Sequence, residues 1–447
     1  MAATHGHLQT VALHATPLER YRPLLGDQAW TTFSRTMHEF AAKFRGRIIW
    51  NVNSTARGGG VAELLSSLIP YDLAAGADER WEVIEGTPAF FDLTKRIHTL
   101  LHGVGSDGAE LTADDRNLYE LTLEPNARSL LELMRPGDVG VLHDPQTLGL
   151  IPTLTKHGIK VVWRSHIGLD KPNEIVRGAW RFLAPYLSTA SAVVFSRAAY
   201  AWDGCDPARV WVIAPCIDPF TTKNRDLDQH EINAVLSHSR LLDRVPRSAP
   251  IVLQVARWDL LKDPVGVVHA FGRHIGPRTD GWLVLAGPQV RSVDDDPEQP
   301  EVVAAVRSAV AETDRTVARR IVIAQVPMND LDENALIVNA LQRRADVVTQ
   351  KSLAEGFGLT VSEAMWKSRP VVASRVGGIE DQIVDQMSGI LIDDPNDLSG
   401  FGDAVTGLLQ DRRRAGELGE QARLRVIAEF LAPRCLMQQA DMLTSLD

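Results

Sequence analysis

Two rhythms of apolar and polar positions alternate along the chain. Short runs rich in β-branched residues, Arg47-Ile48-Ile49-Trp50-Asn51-Val52, Asp138-Val139-Gly140-Val141-Leu142, Lys160-Val161-Val162-Trp163, Ser191-Ala192-Val193-Val194-Phe195-Ser196 and Val210-Trp211-Val212-Ile213, read as buried strands. Stretches with helical spacing lie between them, at about Asp27 to Phe44, Val61 to Leu68 and Phe90 to Leu101. A second series starts at Ile251-Val252-Leu253-Gln254-Val255-Ala256 and continues through 281–288, 320–327, 346–350 and 371–374, with a helix over Thr360 to Lys367 and helical spacing from Leu398 onward. Strand alternating with helix predicts parallel sheets covered by helices. The polar, mixed-charge stretch from Thr221 to Ser248, just ahead of Ala249-Pro250, divides the two series.

The expected class is therefore α/β, with two Rossmann-like doubly wound domains. The expected boundaries are an extension at 1–45 packing on the first domain, the first domain at 46–245, the second at 246–425, and a terminal helix at 426–447. A length of 447 residues with 45% apolar content supports two separate cores. The net charge of −10 argues against nucleic acid or an anionic membrane as the main partner, because both require a basic footprint. The amino terminus lacks a charged segment leading into an apolar core, and no apolar run approaches the roughly 20 residues that span a bilayer. A cytoplasmic protein is expected. Cys205, Cys216 and Cys435 lack C-x2-C spacing, so neither a zinc site nor a disulfide framework is expected, and they read as buried small hydrophobes.

Candidate chemistry gathers where strands end, since open parallel sheets bind ligands beyond their carboxyl ends. The strand at 346–350 passes through Lys351-Ser352-Leu353-Ala354-Glu355-Gly356-Phe357-Gly358-Leu359 into the next helix, which carries Glu363. Gly356 and Gly358 allow a tight turn that presents free N–H groups at a helix amino end, a seat for a diphosphate. Glu355 and Glu363 lie about two helical turns apart, so they should meet different parts of one elongated ligand. Ionised carboxylates only accept hydrogen bonds, which suits hydroxyls. A second glycine-rich turn, Gly58-Gly59-Gly60, follows the strand at 47–52, without the G-x-G-x-x-G of a dinucleotide site or the lysine of a P-loop. His143-Asp144-Pro145-Gln146 and Arg164-Ser165-His166 end two further strands, and Arg257 and Lys262 follow the first strand of the second series. The acidic run Asp294-Asp295-Asp296-Pro297-Glu298 reads as a solvated loop, and no metal site is expected.

The segment from Glu355 to Glu363 resembles the E-x7-E signature of retaining GT-B glycosyltransferases, a family that includes sucrose, glycogen and trehalose synthases. The glycine loop, Arg80-Trp81-Glu82-Val83-Ile84-Glu85-Gly86, His143-Asp144-Pro145-Gln146 and Arg164-Ser165-His166 resemble the trehalose synthases in particular. The resemblance implies a GT-B fold with two domains facing a central cleft and a last helix that returns to the first domain. It implies that Arg257 and Lys262 hold the donor diphosphate, with Gly59, Gly60, Gly356, Phe357, Gly358, Leu359 and Glu363 also on the nucleotide sugar and Val326 near the base. His166 and Glu355 would position the donor sugar, and Trp81, Glu85, Asp144 and Gln146 are candidates for the acceptor. Many family members follow the lysine with glycine where this chain has Asp263-Pro264.

The implied reaction is metal-independent, retaining and reversible glucosyl transfer from a nucleotide diphosphate glucose (UDP-, ADP- or GDP-glucose) to free glucose, giving α,α-trehalose. The nucleotide sugar is a co-substrate, with no tightly bound cofactor. Glucose, trehalose and nucleotide are the expected partners, with a homodimer left open. A trehalose phosphorylase using inorganic phosphate, a non-catalytic sugar-binding regulator and a sugar-nucleotide epimerase are the alternatives.

Overall fold

The computed structural model describes residues 3–57, 59–105, 110–290 and 299–446. They form two compact units, 1–216 together with 432–447, and 217–431. In the first unit, strands β1 (Ala3–His5), β2 (Leu8–Val11), β3 (Ile48–Asn53), β4 (Asp78–Ile84), β5 (Val139–His143), β6 (Lys160–Ser165), β7 (Ala192–Phe195) and β8 (Val210–Val212) form one sheet in the order β1-β2-β4-β3-β5-β6-β7-β8. From β4 to β8 every pairing is parallel. The order reverses between β3 and β5, a topological switch point where ligands of such sheets bind.

The start of the chain is part of this sheet rather than an extension lying on it. β1 and β2 form a hairpin that pairs antiparallel with β4, turning through Gly6 at a positive φ of 58°. Three-residue and four-residue strands carry too little periodicity to be read without their partner. Helix Ala113–Leu133 escaped the apolar pattern as well, although its capping box is written in the sequence: Thr112 caps the Asp115 N–H while Asp115 caps that of Thr112.

The second unit is a six-stranded parallel sheet of β9 (Ile251–Val255), β10 (Trp282–Pro288), β11 (Ile321–Val326), β12 (Val347–Gln350), β13 (Val371–Ser374) and β14 (Ile390–Ile392), in the order β11-β10-β9-β12-β13-β14. Counted from β9 this is 3-2-1-4-5-6, the Rossmann order, with its switch point between β9 and β12. Both faces are covered, which is why these strands read as unbroken apolar runs.

The units divide at Cys216/Ile217, not near residue 245. Residues 217–245 are polar and read as a linker, yet their backbone is held by the second unit. Asn339, fully buried on helix Leu331–Arg344, donates to the carbonyls of Thr222 and Arg225 at 3.0 and 2.9 Å, and Arg343 donates to those of Asn224 and Arg225. At the other end, the second unit extends to Leu431, and helix Ala432–Ser445 belongs to the first. Lys43 and Lys160 cap that helix, donating to the carbonyls of Thr444 and Leu446.

Candidate active site

In the second unit, the loops leaving β9 and β12 meet at the switch point. Lys262 from the first donates to both carboxylate oxygens of Glu355 from the second, at 2.7 and 2.6 Å. Gln350 and Ser352 donate to the same carboxylate at 3.3 and 3.2 Å, so Glu355 is held at four contacts and its lysine is fixed in turn. Thr360 orients Gln350 by donating to its carbonyl oxygen. Arg257 stands more open, 57% exposed, with Asp259 at 3.1 Å.

The two residues after Lys262 explain the departure at Asp263-Pro264. Asp263 adopts φ 45°, the left-handed conformation for which glycine is the default. Its carboxylate then caps the Gly266 N–H at 2.9 Å and pairs with Lys351, a lysine only 1% exposed. Pro264 takes the first position of the following helix, where its missing N–H costs nothing. Aspartate thus tolerates the glycine conformation and supplies the counter-charge that buried Lys351 requires.

Gly358 sets the start of helix Leu359–Trp366 at φ 83°, and a side chain there would crowd Glu355 Cγ at 3.2 Å and Ile379 at 3.3 Å. Gly378 lies against the backbone of Phe357 and Gly356, with its N–H donated to the Gly356 carbonyl at 3.0 Å. One glycine turn therefore braces the other. Glu363, on the same helix, is 2% exposed; Gln342 donates to it at 3.4 Å and Lys223 lies at 3.5 Å. The two carboxylates share no partner, as their spacing predicts.

In the first unit, β3, β5 and β6 bring Asn51, His143, Asp144 and His166 together. His143 Nδ1 lies 3.0 Å from His166 Nε2, with the rings stacked at 5.4 Å, and His143 Nε2 lies 3.2 Å from Asn51 Oδ1. Asn51 in turn donates to Glu79 at 2.5 Å. Asp144 turns back at φ 61° so that its carboxylate accepts the His166 backbone N–H at 2.8 Å. Burial brings His143 down to about 3 and, aided by the Arg164 charge, holds His166 well below the usual imidazole range, so both rings are neutral at pH 7. Burial pushes Asp144 up to about 7. Arg164, 2% exposed, donates to the Ile213 carbonyl at 3.3 Å and approaches Cys435 Sγ at 4.0 Å. A hydrogen bond from Cys216, together with Arg164 and Arg434, lowers the Cys435 thiol to about 5 against its burial. That buried cysteine serves as counter-charge to a buried arginine, a role its apolar setting did not suggest.

Residues 51–202 match the family described as "Trehalose synthase, N-terminal domain", and residues 244–425 match "Glycosyl transferases group 1". The chain is 36% identical to the trehalose synthase of Rubrobacter xylanophilus over 90% of its own length and 91% of that protein, and 35% identical to that of Pyrococcus horikoshii over 96% of each. The chain belongs to the trehalose synthase family. Members of this family are glycosyltransferases, and trehalose-related glycosyl transfer is the chemistry of this chain. A trehalose phosphorylase of Pleurotus pulmonarius is 27% identical over 88% of this chain and 56% of that protein. Among solved structures, the α,α-trehalose 6-phosphate synthase of Burkholderia multivorans superposes with a TM-score of 0.69 at 18% identity, covering 89% of this chain and 96% of that one, so the fold is GT-B.

Within this trehalose synthase fold, the residues expected from the sequence fall into distinct places. Lys262, Glu355, Gly356, Phe357, Gly358 and Leu359 gather at the second switch point, and Asp144 and His166 at the first. Val326 is buried at the end of β11. Gly59 and Gly60 open helix Gly59–Ala75, with Gly59 at φ 79°, while Gly58 and the acidic run 294–298 lie outside the described residues. Gln146 is half-buried on helix Asp144–Leu148. Trp81 is not a ligand contact: it is 2% exposed inside an apolar cluster, and its indole N–H is donated to Asn53 at 2.8 Å. Strand alternation points it inward. Glu85 is more than half exposed beside His7 at 3.3 Å. Gln350, Ser352, Lys351, Asn51 and Glu79 were not singled out, because neutral amides and mid-strand carboxylates carry no motif until the fold aligns them.

Proposed function

We propose that this trehalose synthase family member transfers glucose from a nucleotide diphosphate glucose to free glucose, giving α,α-trehalose with retention at the donor carbon, reversibly and without a metal. The observation that carries the reading is the Lys262–Glu355 pair at the switch point of a Rossmann-order sheet, beside a glycine-turned helix start. A departing diphosphate gathers negative charge as the glycosidic bond breaks. A lysine already held by a carboxylate, an open arginine five positions before it, and the N–H groups of the glycine turn stabilise that charge without rearranging. Glu363 accepts from the ribose hydroxyls, and in the first unit His166 and Asp144 take sugar hydroxyls.

Because no carboxylate pair stands out as nucleophile and acid, attack from the face of the leaving group is the expected route, with a diphosphate oxygen receiving the acceptor's proton. Proton NMR of the reaction with UDP-, ADP- or GDP-glucose and free glucose tests this. The expected product is a symmetric, non-reducing disaccharide, α at both anomeric carbons; a β signal, a reducing product or a trapped glycosyl–protein adduct overturns it. Breakdown of trehalose supported by inorganic phosphate and by no nucleoside diphosphate would assign a phosphorylase instead.

A further inference from the structure

The groups behind His166 form one chain of hydrogen bonds running to two carboxylates at its far end. Asp72, on helix Gly59–Ala75, is 5% exposed and hydrogen-bonded to Glu79 on β4. Glu79 accepts from Asn51 Nδ2 at 2.5 Å, Asn51 Oδ1 faces His143 Nε2 at 3.2 Å, and His143 Nδ1 faces His166 Nε2 at 3.0 Å. Two adjoining buried carboxylates cannot both carry charge. Burial and the Glu79 charge raise Asp72 well above the carboxylate range, whereas hydrogen bonds from Asp72 and Asn51 offset the burial of Glu79. Asp72 therefore keeps the proton and Glu79 the charge.

We propose that Glu79 and Asn51 are positioning residues that fix the tautomers of His143 and His166, so that His166 offers its ligand a bare Nδ1 acceptor. An ionised carboxylate has no proton to give, so the amide of Asn51 turns its NH2 toward Glu79 and its oxygen toward His143. That oxygen only accepts, so His143 carries its hydrogen on Nε2. A neutral ring protonated at Nε2 is bare at Nδ1, and the hydrogen between the rings must then come from His166 Nε2. His166, also neutral, is left with its lone pair on Nδ1. Among the described residues no hydrogen bond occupies that nitrogen, and it is not among the buried unsatisfied atoms. A neutral acceptor suits a donor hydroxyl and repels a phosphate oxygen, which has no hydrogen to give. The site therefore selects an unphosphorylated sugar at this point, an inference that rests on the sugar reading of the first unit.

Long-range nitrogen–proton NMR of the full chain labelled with [15N]histidine tests the relay directly. In the ligand-free protein at pH 7, His143 and His166 are expected to show hydrogen on Nε2 and a bare Nδ1. An imidazolium, or a hydrogen on Nδ1 of either ring, overturns the proposal, and this measurement needs no variant. Glu79→Ala frees the Asn51 amide to flip, so both rings should become tautomer mixtures, and kcat/KM for the sugar should fall by about tenfold. Glu79→Gln, whose carbonyl still accepts from Asn51, should restore both tautomers and activity. A loss of packing alone would reduce activity without moving the tautomers, and that result also counts against the relay. Glucose and trehalose titrations separate the two readings: expected tautomers with no shift of the His166 Nδ1 signal would end the sugar reading and leave the relay standing.

Discussion

Replacing Asp263 with glycine restores the residue type found at that position in many relatives by resemblance, yet it should weaken the second unit. The magnitude follows from three contacts. The carboxylate pairs with Lys351, which is 1% exposed and loses its ionic partner in the variant. Breaking a buried pair from one side costs about 3–5 kcal/mol. Loss of the cap on the Gly266 N–H adds a few tenths, since glycine is a tolerable cap. Relief of the left-handed φ of 45° returns about 1 kcal/mol. The net loss is about 2–4 kcal/mol, which in native-state hydrogen exchange corresponds to roughly thirtyfold to a thousandfold faster exchange. The amides of β9 and β12 are the ones to follow by mass spectrometry, because they lie in the core of the second unit. Asp263→Asn keeps the cap and the backbone preference, so it should show most of the loss, and adding Lys351→Met to Asp263→Gly should recover most of it by removing the stranded charge. Exchange within twofold of the parent in Asp263→Gly, or no recovery in the double variant, would refute the reasoning.

Lys262→Ala should lower kcat by about 10²–10³ with the fold intact, the scale for losing one preorganised electrostatic contact, checked by steady-state kinetics and circular dichroism. Glu363→Gln should weaken nucleoside diphosphate binding by about 1–3 kcal/mol in calorimetry, whereas Glu355→Gln should affect kcat more; equal affinity losses would mean that the two carboxylates are wrongly assigned. Asp144, raised to about 7 in the fold against about 4 in the unfolded chain, binds more protons when folded across that window, so its contribution to stability falls as pH rises from about 4 to 7. Asp144→Asn should therefore make the decline of the thermal midpoint over this range shallower, without abolishing it, since Asp72 and Glu79 act in the same direction; parallel curves would refute the assignment.

The sequence made the two sheets legible because strands covered on both faces are continuous apolar runs, and β9 through β13 emerge within a residue or two of where the pattern puts them. The chemistry of Lys262, Glu355 and His166 was legible for a different reason: charged or titratable residues at strand ends beside glycines are conspicuous. What remained hidden depended on partners distant in sequence. The hairpin of β1 and β2 makes sense only against β4, the polar segment after Cys216 only against Asn339 and Arg343, and Asn51 only between Glu79 and His143. Trp81 shows the converse error, since an aromatic residue in a family-like segment was filling the core.

The second unit is written into the chain as an uninterrupted stretch, entered at Ile217 and left at Leu431, and these two residues form a parallel bridge, with the Ile217 N–H donated to the Phe430 carbonyl at 2.9 Å. The first unit is split around it, and its final helix, Ala432–Ser445, carries fully buried Cys435 and Leu436. During synthesis the order of appearance is therefore not the order of completion. The stretch 217–431 is whole as soon as it emerges, while the earlier half waits, one apolar surface uncovered, for residues made more than two hundred positions later. A ribosome stalled near residue 431 would hold a finished second unit beside an unfinished first one.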